Sequence, residues 1–141
     1  MAFKQGLGYF VTATGRAHAA ADTDTFTVAG GLVCINLIYG IITAEGAGAT
    51  TITVGNNPGT GTTIVYAVAA DIDAAVVGDF ITLAYLAGQL TTIVGAGGQS
   101  ADYHLIAQTG TIFVRGGAAL GTSQWYLFYV PITVGATVVT V

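Results

Sequence analysis

Short runs of alternating apolar and polar residues, separated by glycine turns, make up most of this chain. In Asp24–Ala29, Phe26 and Val28 fall on one face and threonines on the other, and Thr50–Val54 alternates in the same way. Alternation with a period of two is typical of a β-strand with one buried face. The scattered glycines disfavour helix, because each interior glycine costs a helix about 1 kcal/mol relative to alanine. The pattern therefore predicts an all-β chain.

Two segments are apolar on both faces. Leu32–Thr43 is the longest apolar run, and Trp125–Val130 is the densest aromatic group. A strand of this kind is either central in a sandwich or packed against another subunit. These segments supply the candidate core or intersubunit residues, which are Leu32, Ile35, Leu37, Trp125, Leu127 and Tyr129.

The strand pattern predicts a single β-sandwich, resembling a jelly roll, over residues 22–141. Residues 1–21 contain Gly6, Gly8 and Gly15 and are predicted to form an irregular N-terminal arm. The expected strands are Asp24–Ala29, Leu32–Thr43, Thr50–Val54, Thr63–Ala70, Phe80–Leu86, Leu90–Val94, Tyr103–Ala107, Thr111–Val114, Trp125–Val130 and Val138–Val141.

The chain is unusually poor in charge. Only 7% of its residues are charged and 53% are hydrophobic, whereas soluble domains carry about 25% charged residues. Either hydroxyl groups keep such a surface in solution or an assembly covers it, and we favour the assembly. A net charge of −4 with three Lys and Arg residues excludes strong nucleic-acid binding, which needs cations to neutralise phosphates. The apolar run Leu32–Ala44 is too short for the about 20 residues of a spanning helix, so we expect no membrane partner.

The few charges are distributed unevenly. Lys4 and Arg16 are the only charged residues among the first 21, whereas residues 22–141 hold all seven acids and Arg115. A cationic arm on an acidic body predicts docking on an acidic neighbour, with Lys4 and Arg16 as the anchors; a solvated terminus is the alternative. The first residues lack the pattern of a secretory signal, so synthesis in a cytoplasm is expected.

Two pairs of aspartates are the first candidates for a chemical site. Asp22 and Asp24, and likewise Asp71 and Asp73, are two residues apart, which on a strand places both carboxylates on one face. Calcium binds clustered carboxylates, but neither pair has the further acids or the loop pattern of a calcium site. We interpret both pairs as turn-capping residues and expect no metal or cofactor.

Nucleophiles and bases are sparse. Cys34 is the single cysteine and lies in an apolar run, where it is expected to pack as a small hydrophobic residue. His18 and His104 lack the spacing of a metal or catalytic site, and His104 is expected to be half-buried or at an interface. Ser100 and Ser123 lie in no Gly-x-Ser-x-Gly elbow. The sequence therefore predicts a protein that is not an enzyme.

Several stretches resemble small Gly/Ala/Thr-rich virion proteins of tailed bacteriophages, of the capsid decoration, cement or head-fibre type. The resembling stretches are Asp24-Thr-Phe-Thr-Val-Ala-Gly-Gly-Leu-Val, Asp71-Ile-Asp-Ala-Ala-Val-Val-Gly-Asp-Phe-Ile, Gln108-Thr-Gly-Thr-Ile and Gln124-Trp-Tyr-Leu-Phe-Tyr-Val-Pro-Ile-Thr-Val-Gly-Ala. The resemblance implies a β-sandwich subunit, often a homotrimer, that sits on the capsid surface of the virion and ties neighbouring copies of the major capsid protein together.

Two other functions fit the same composition. Exposed aromatic residues in a groove are typical of a carbohydrate- or receptor-binding module, which in a virion would belong to a tail or fibre. A self-assembling tube or fibre protein is the third interpretation. Both alternatives share the expectation of a non-enzymatic β protein.

Overall fold

The chain folds into two antiparallel sheets that pack face to face. A computed structural model describes residues 2–4, 6–46, 50–86, 89–95, 104–117 and 121–141. Within these residues there are thirteen strands and no helix, which confirms the predicted all-β sandwich; the jelly-roll arrangement stays a prediction. The strands are β1 Ala2–Lys4, β2 Gly8–Ala17, β3 Thr23–Ala29, β4 Val33–Ala44, β5 Thr51–Pro58, β6 Ile64–Val65, β7 Ala70–Asp71, β8 Phe80–Leu86, β9 Gln89–Gly95, β10 Leu105–Ala107, β11 Gly110–Gly116, β12 Thr122–Pro131 and β13 Thr137–Thr140.

The strand order places the two long apolar strands side by side. Sheet A has the order β1-β2-β12-β4-β8-β9, and β10 pairs with β4. Sheet B has the order β13-β3-β11-β5-β6, and β7 also pairs with β5. Strands β12 and β4, which the sequence predicts to be apolar on both faces, are therefore neighbours at the centre of sheet A.

Large side chains from β12 fill the space between the sheets. Trp125 and Tyr129 are 1% exposed and belong to one continuous core. Gly40 on β4 lies opposite Trp125, and a Cβ atom there would be 3.0 Å from the indole ring. The glycine therefore provides the room for the ring. The Tyr129 hydroxyl accepts a hydrogen bond from the Val138 amide at 3.1 Å, which links β12 to β13 of the other sheet.

The expectation of an irregular arm over residues 1–21 is wrong for most of that segment. Gly8–Ala17 forms strand β2 and pairs with β12 from Tyr9 opposite Tyr129 to Ala17 opposite Thr122. The glycines in this segment resemble chain breakers, but the sheet uses their positive φ angles, +93° at Gly8 and +64° at Gly15. A Cβ atom at Gly8 would be 2.3 Å from the backbone carbonyl oxygen of Tyr129, so only glycine fits against strand β12. The sandwich therefore begins well before residue 22.

One side of the sandwich is joined by backbone hydrogen bonds. Between β6 and β7 the chain leaves sheet B at Val68 and pairs with β9 of sheet A. The Val68 amide donates to the Leu90 carbonyl at 3.0 Å, and the Thr92 amide donates to the Val68 carbonyl at 2.9 Å. Part of the edge of β9 is thus covered by the chain itself.

The opposite side is joined mainly by side chains. The Thr140 hydroxyl of β13 donates to the Thr12 carbonyl of β2, and the Arg16 guanidinium donates to the backbone oxygen of Val141. The Val141 amide donates to the Thr25 carbonyl at 3.3 Å. Strand β13, at the edge of sheet B, is therefore attached to β2 of sheet A.

Candidate interaction surface

The outer face of sheet A carries a row of aromatic rings across four strands. We call Phe10, Tyr39, Phe80, Tyr126 and Phe128 the aromatic face; they come from β2, β4, β8 and β12. Phe10 lies opposite Phe128 with ring centroids 4.9 Å apart, and Tyr126 lies opposite Tyr39 at 4.7 Å with ring planes 11° apart. Directly opposed residues on adjacent strands have neighbouring side chains, so the strand register itself builds these pairs.

Diagonal contacts join the two pairs into one row. The Phe10 and Tyr126 rings are 6.2 Å apart and nearly parallel, and the Tyr39 and Phe80 rings are also 6.2 Å apart. Aromatic pairs at these distances contribute about 0.5–1.5 kcal/mol each beyond the area that they bury. The row is therefore ordered by its own ring contacts.

The aromatic face remains accessible and is uncharged. Of its five residues Phe128 is buried, and the other four, like the flanking Leu37 and Ile41, are partly exposed. Strands β4, β8 and β12 contain no acid or base, and the charged residue of β2, Arg16, turns to sheet B. Among the described side chains, therefore, no charge lies on this face. Burial, followed by the nearby Tyr126, raises the pKa of Tyr39, so the Tyr39 hydroxyl stays neutral at physiological pH.

The same outer face continues into an exposed apolar end. Cys34 lies opposite Val130 on one side and Ile106 on the other, and Leu32 and Ile132 follow as the next pair. The four aliphatic side chains are 38–51% exposed. Burial raises the pKa of the Cys34 thiol, which keeps it a neutral, poorly reactive group. This apolar end extends the uncharged surface along β4 and β12.

The predicted core or intersubunit residues divide between the two faces of sheet A. Four of them point between the sheets and are 0–1% exposed, namely Ile35, Trp125, Leu127 and Tyr129. Leu37 is partly exposed on the outer face, opposite Phe128, and Leu32 is 38% exposed at the apolar end. The structure therefore places the first four in the core and leaves the two leucines available to a partner.

The predicted cationic anchors lie on neighbouring strands. Lys4 is in β1, opposite Gly8, and its side chain lies outside the described residues. Arg16 is in β2, where its guanidinium is engaged with the backbone oxygen of Val141. Arg16 thus holds the two sheets together, and an anchoring role for either cation stays a prediction.

Sequence reasoning missed a buried polar cluster that joins residues far apart in the chain. His18 Nε2 and Ser123 Oγ are 2.9 Å apart, although 105 positions separate the two residues. Trp125 Nε1 donates to the same hydroxyl at 2.6 Å. Ser123 and His18 are at most 1% exposed, so a substrate has no access to this serine–histidine pair. The cluster satisfies buried polar groups, and only the β2–β12 pairing, which spacing does not reveal, brings it together.

The aspartate pairs behave as local structural groups. Asp71 Oδ1 accepts a hydrogen bond from the Asp73 amide at 2.9 Å, which is the geometry of an Asx turn. Asp22 pairs with Arg115 at 2.6 Å, and Asp24 accepts from the Thr111 hydroxyl at 2.8 Å. Nowhere in the described part of the chain do three or more His, Cys, Asp or Glu side chains form a group that fits a metal ion.

On the outer face of sheet B, residues of the same chain cover the aromatic side chain that points outward. The Phe113 ring lies over Gly55, where an added Cβ atom would be 2.3 Å from the ring, and Phe113 is 0% exposed. The Arg115 guanidinium lies 5.0 Å from the ring centroid and is held by Asp22. The side-chain hydrogen bond from Arg115 to Asp22 raises the pKa of Arg115. This sheet therefore covers its outward aromatic residue with its own charged pair.

Comparisons with known proteins add no relative. No protein-family model, curated protein or solved structure matches the chain significantly. None of the described residues forms a helix long and apolar enough to cross a membrane.

Proposed function

We propose that this protein is a non-enzymatic structural component of a tailed-bacteriophage virion, a capsid decoration or cement protein. The observation that carries the proposal is the aromatic face with its apolar end, which is partly accessible and carries no charge among its described side chains. Monomeric soluble proteins rarely expose contiguous apolar surface on this scale, and such patches mark interaction sites. The sequence resemblance supplies the kind of assembly.

The action of such a protein requires no turnover. Interfaces in permanent assemblies are rich in aromatic residues and poor in charge at their centres, which is the character of this face. The protein would act from the capsid surface as an oligomer, a homotrimer by the resemblance, and would bury area across the boundaries between copies of the major capsid protein. The serine–histidine pair plays no part, because Ser123 is inaccessible.

Immunogold electron microscopy tests this proposal. An antibody raised against the recombinant chain is applied to phage particles whose genome encodes it. The proposal expects gold label over the head surface. Label confined to the tail, or intact particles that lack the protein by mass spectrometry, would contradict it.

A carbohydrate- or receptor-binding module is the second candidate. The partial exposure of Tyr39 and Tyr126 favours it, because accessible aromatic residues with a few polar groups nearby are typical of a ligand site. A glycan array with the recombinant chain distinguishes the two functions: selective binding that is lost in the Tyr39→Ala variant supports the module. For the tube or fibre alternative, electron microscopy of the purified protein would show filaments.

A further inference from the structure

We infer that a second copy of this chain covers the aromatic face and its apolar end. This inference rests on the assembly role proposed above and specifies which surface the copies share. The face is a poor surface for a solitary protein, since rings, aliphatic groups, a thiol, threonines, one asparagine and one glutamine occupy it. Three properties indicate what covers this face: its charge, its area and the extent to which the edges of both sheets are already covered.

Charge restricts the partner. The face offers no carboxylate to a basic surface and no cation to an acidic surface among its described side chains. An uncharged partner surface is therefore the complement, because a charge buried opposite it would lose water without gaining an ion pair. A sister copy supplies such a surface. Each chain carries a net charge of −4, so copies that meet through this face keep their acidic groups away from the contact.

The area is sufficient for a stable contact. Strands β2, β12 and β4 are 10, 10 and 12 residues long, and β8 lies beside β4. At about 3.4 Å per residue and about 4.8 Å between strands, a face four strands wide covers roughly 650 Å². A standard interface buries about 800 Å² of each partner, and the exposed Leu32, Ile106 and Ile132, which lie outside these four strands, add to the area.

The sheet edges offer little competing contact. Val68 bonds to β9 at one edge of sheet A, and β13 of sheet B is attached to β2 through Thr140 and Arg16. The other edge strands in the described part of the chain, β1, β6, β7 and β10, are two or three residues long. Covered or very short edges hinder the addition of strands from another chain. Contact through the aromatic face, rather than strand addition at an edge, is thus the route that the fold leaves open to a second copy.

Charge placed on the face tests the inference. Sedimentation equilibrium of the full chain is compared with Tyr126→Lys, Gln124→Lys and the control Thr27→Lys, which places the same charge on the outer face of sheet B. We expect a self-associating wild type. An unpaired charge in a desolvated contact weakens association strongly, so the dissociation constant should rise at least about 100-fold in Tyr126→Lys and about 10-fold in Gln124→Lys. The control should stay within about threefold.

Footprinting locates the contact independently. Hydroxyl-radical labelling of wild-type protein should mark Tyr39 and Tyr126 more strongly on dilution, while Phe113 stays unlabelled at every concentration. Circular dichroism shows which variants fold, and if Tyr126→Lys does not fold, Gln124→Lys decides. Folded variants that associate like wild type overturn the inference, as does a wild type that stays monomeric.

The outcomes separate this inference from the proposed function. If the protein is monomeric but the antibody against it still labels phage heads, the inference that copies share this face is overturned, whereas the proposed decoration role is retained. If the protein forms an oligomer that depends on the aromatic face but is missing from virions, the inference is retained and the proposed decoration role is overturned. A glycan that protects Tyr39 and Tyr126 in monomeric protein also overturns the inference, in favour of the carbohydrate-binding module.

Discussion

The aromatic residues on the two outer faces of the sandwich differ in how far they are exposed to solvent. On sheet B, Phe113 is completely covered, and Arg115, held by Asp22, lies against its ring. On sheet A, Tyr39 and Tyr126 stack on each other and remain partly exposed, with no described charge near them on that face. Both sheets have equally buried inner faces, so the difference lies only in what each presents outward.

This contrast shows how a chain with few charges uses them. Cations on sheet B and at the joined side make internal contacts, Arg115 with Asp22 and Arg16 with Val141. Among the described side chains, the outer face of sheet A has none, although its central strands β4 and β12 are long and strongly apolar. A sheet whose outer face contacts only water usually alternates apolar and polar positions along its strands. The outer face of sheet A is therefore the one that we propose meets a partner.

Truncating the covered ring should have the largest effect. Phe113→Ala removes a fully buried phenyl group and is expected to cost about 3–5 kcal/mol of unfolding free energy. Phe80→Ala on the aromatic face is the matched control and should cost clearly less in the monomer, because Phe80 is partly exposed. Urea unfolding of both variants at a concentration below self-association measures the difference. Equal losses would mean that the two outer faces are equally buried within one chain.

A methyl group beneath the same ring should have the next largest effect. In Gly55→Ala the new Cβ atom would meet the Phe113 ring and the Ile64 carbonyl at 2.3 and 2.4 Å, so one of them must move. Overpacking of this kind costs about 1–3 kcal/mol. Gly95→Ala, where no atom lies within 4 Å of the new methyl group, serves as the control and should be within about 0.5 kcal/mol of wild type. A stable Gly55→Ala variant would show that Phe113 is loosely held.

The joint between the sheets gives a smaller effect that depends on pH. The Tyr66 hydroxyl donates to the Ile106 carbonyl at 3.2 Å, and burial raises the pKa of Tyr66. The unfolded chain therefore loses this proton first, near the ordinary pKa of about 10, and the contribution of Tyr66 to stability falls as the pH rises above that value. Tyr66→Phe should cost about 1 kcal/mol at pH 7 and should lose less stability than wild type between pH 9 and about 11. Thermal melts across this range measure both; parallel curves would contradict the assignment.

Removing the cation over Phe113 should have the smallest effect. Arg115→Gln loses the ring contact and the pair with Asp22, both partly exposed, which together contribute about 0.5–1 kcal/mol. Salt weakens exposed ion pairs, so the difference from wild type should shrink in about 1 M sodium chloride. A difference that is independent of salt would mean that the arginine acts by packing alone.

The sequence predicts which residues of a strand are buried better than it predicts which distant residues are in contact. Trp125, Leu127 and Tyr129, which the sequence predicts as core or intersubunit residues, are at most 1% exposed in the core. Glycines misled the prediction at residues 1–21, because Gly8 fits a strand that approaches its neighbour closely and Gly15 lies in the same strand with a positive φ angle. The contact between His18 and Ser123 was invisible because it depends on pairing strands from the two ends of the chain.

Sedimentation equilibrium of the wild-type chain tests the central claim most directly. If sister copies cover the outer face of sheet A, the protein of 14.2 kDa will sediment at micromolar concentration with a mass of two or more chains, and Gln124→Lys will shift it toward one chain. A wild type that sediments as a single chain throughout this range would show that the aromatic face is stable in water without a partner, and would contradict the account.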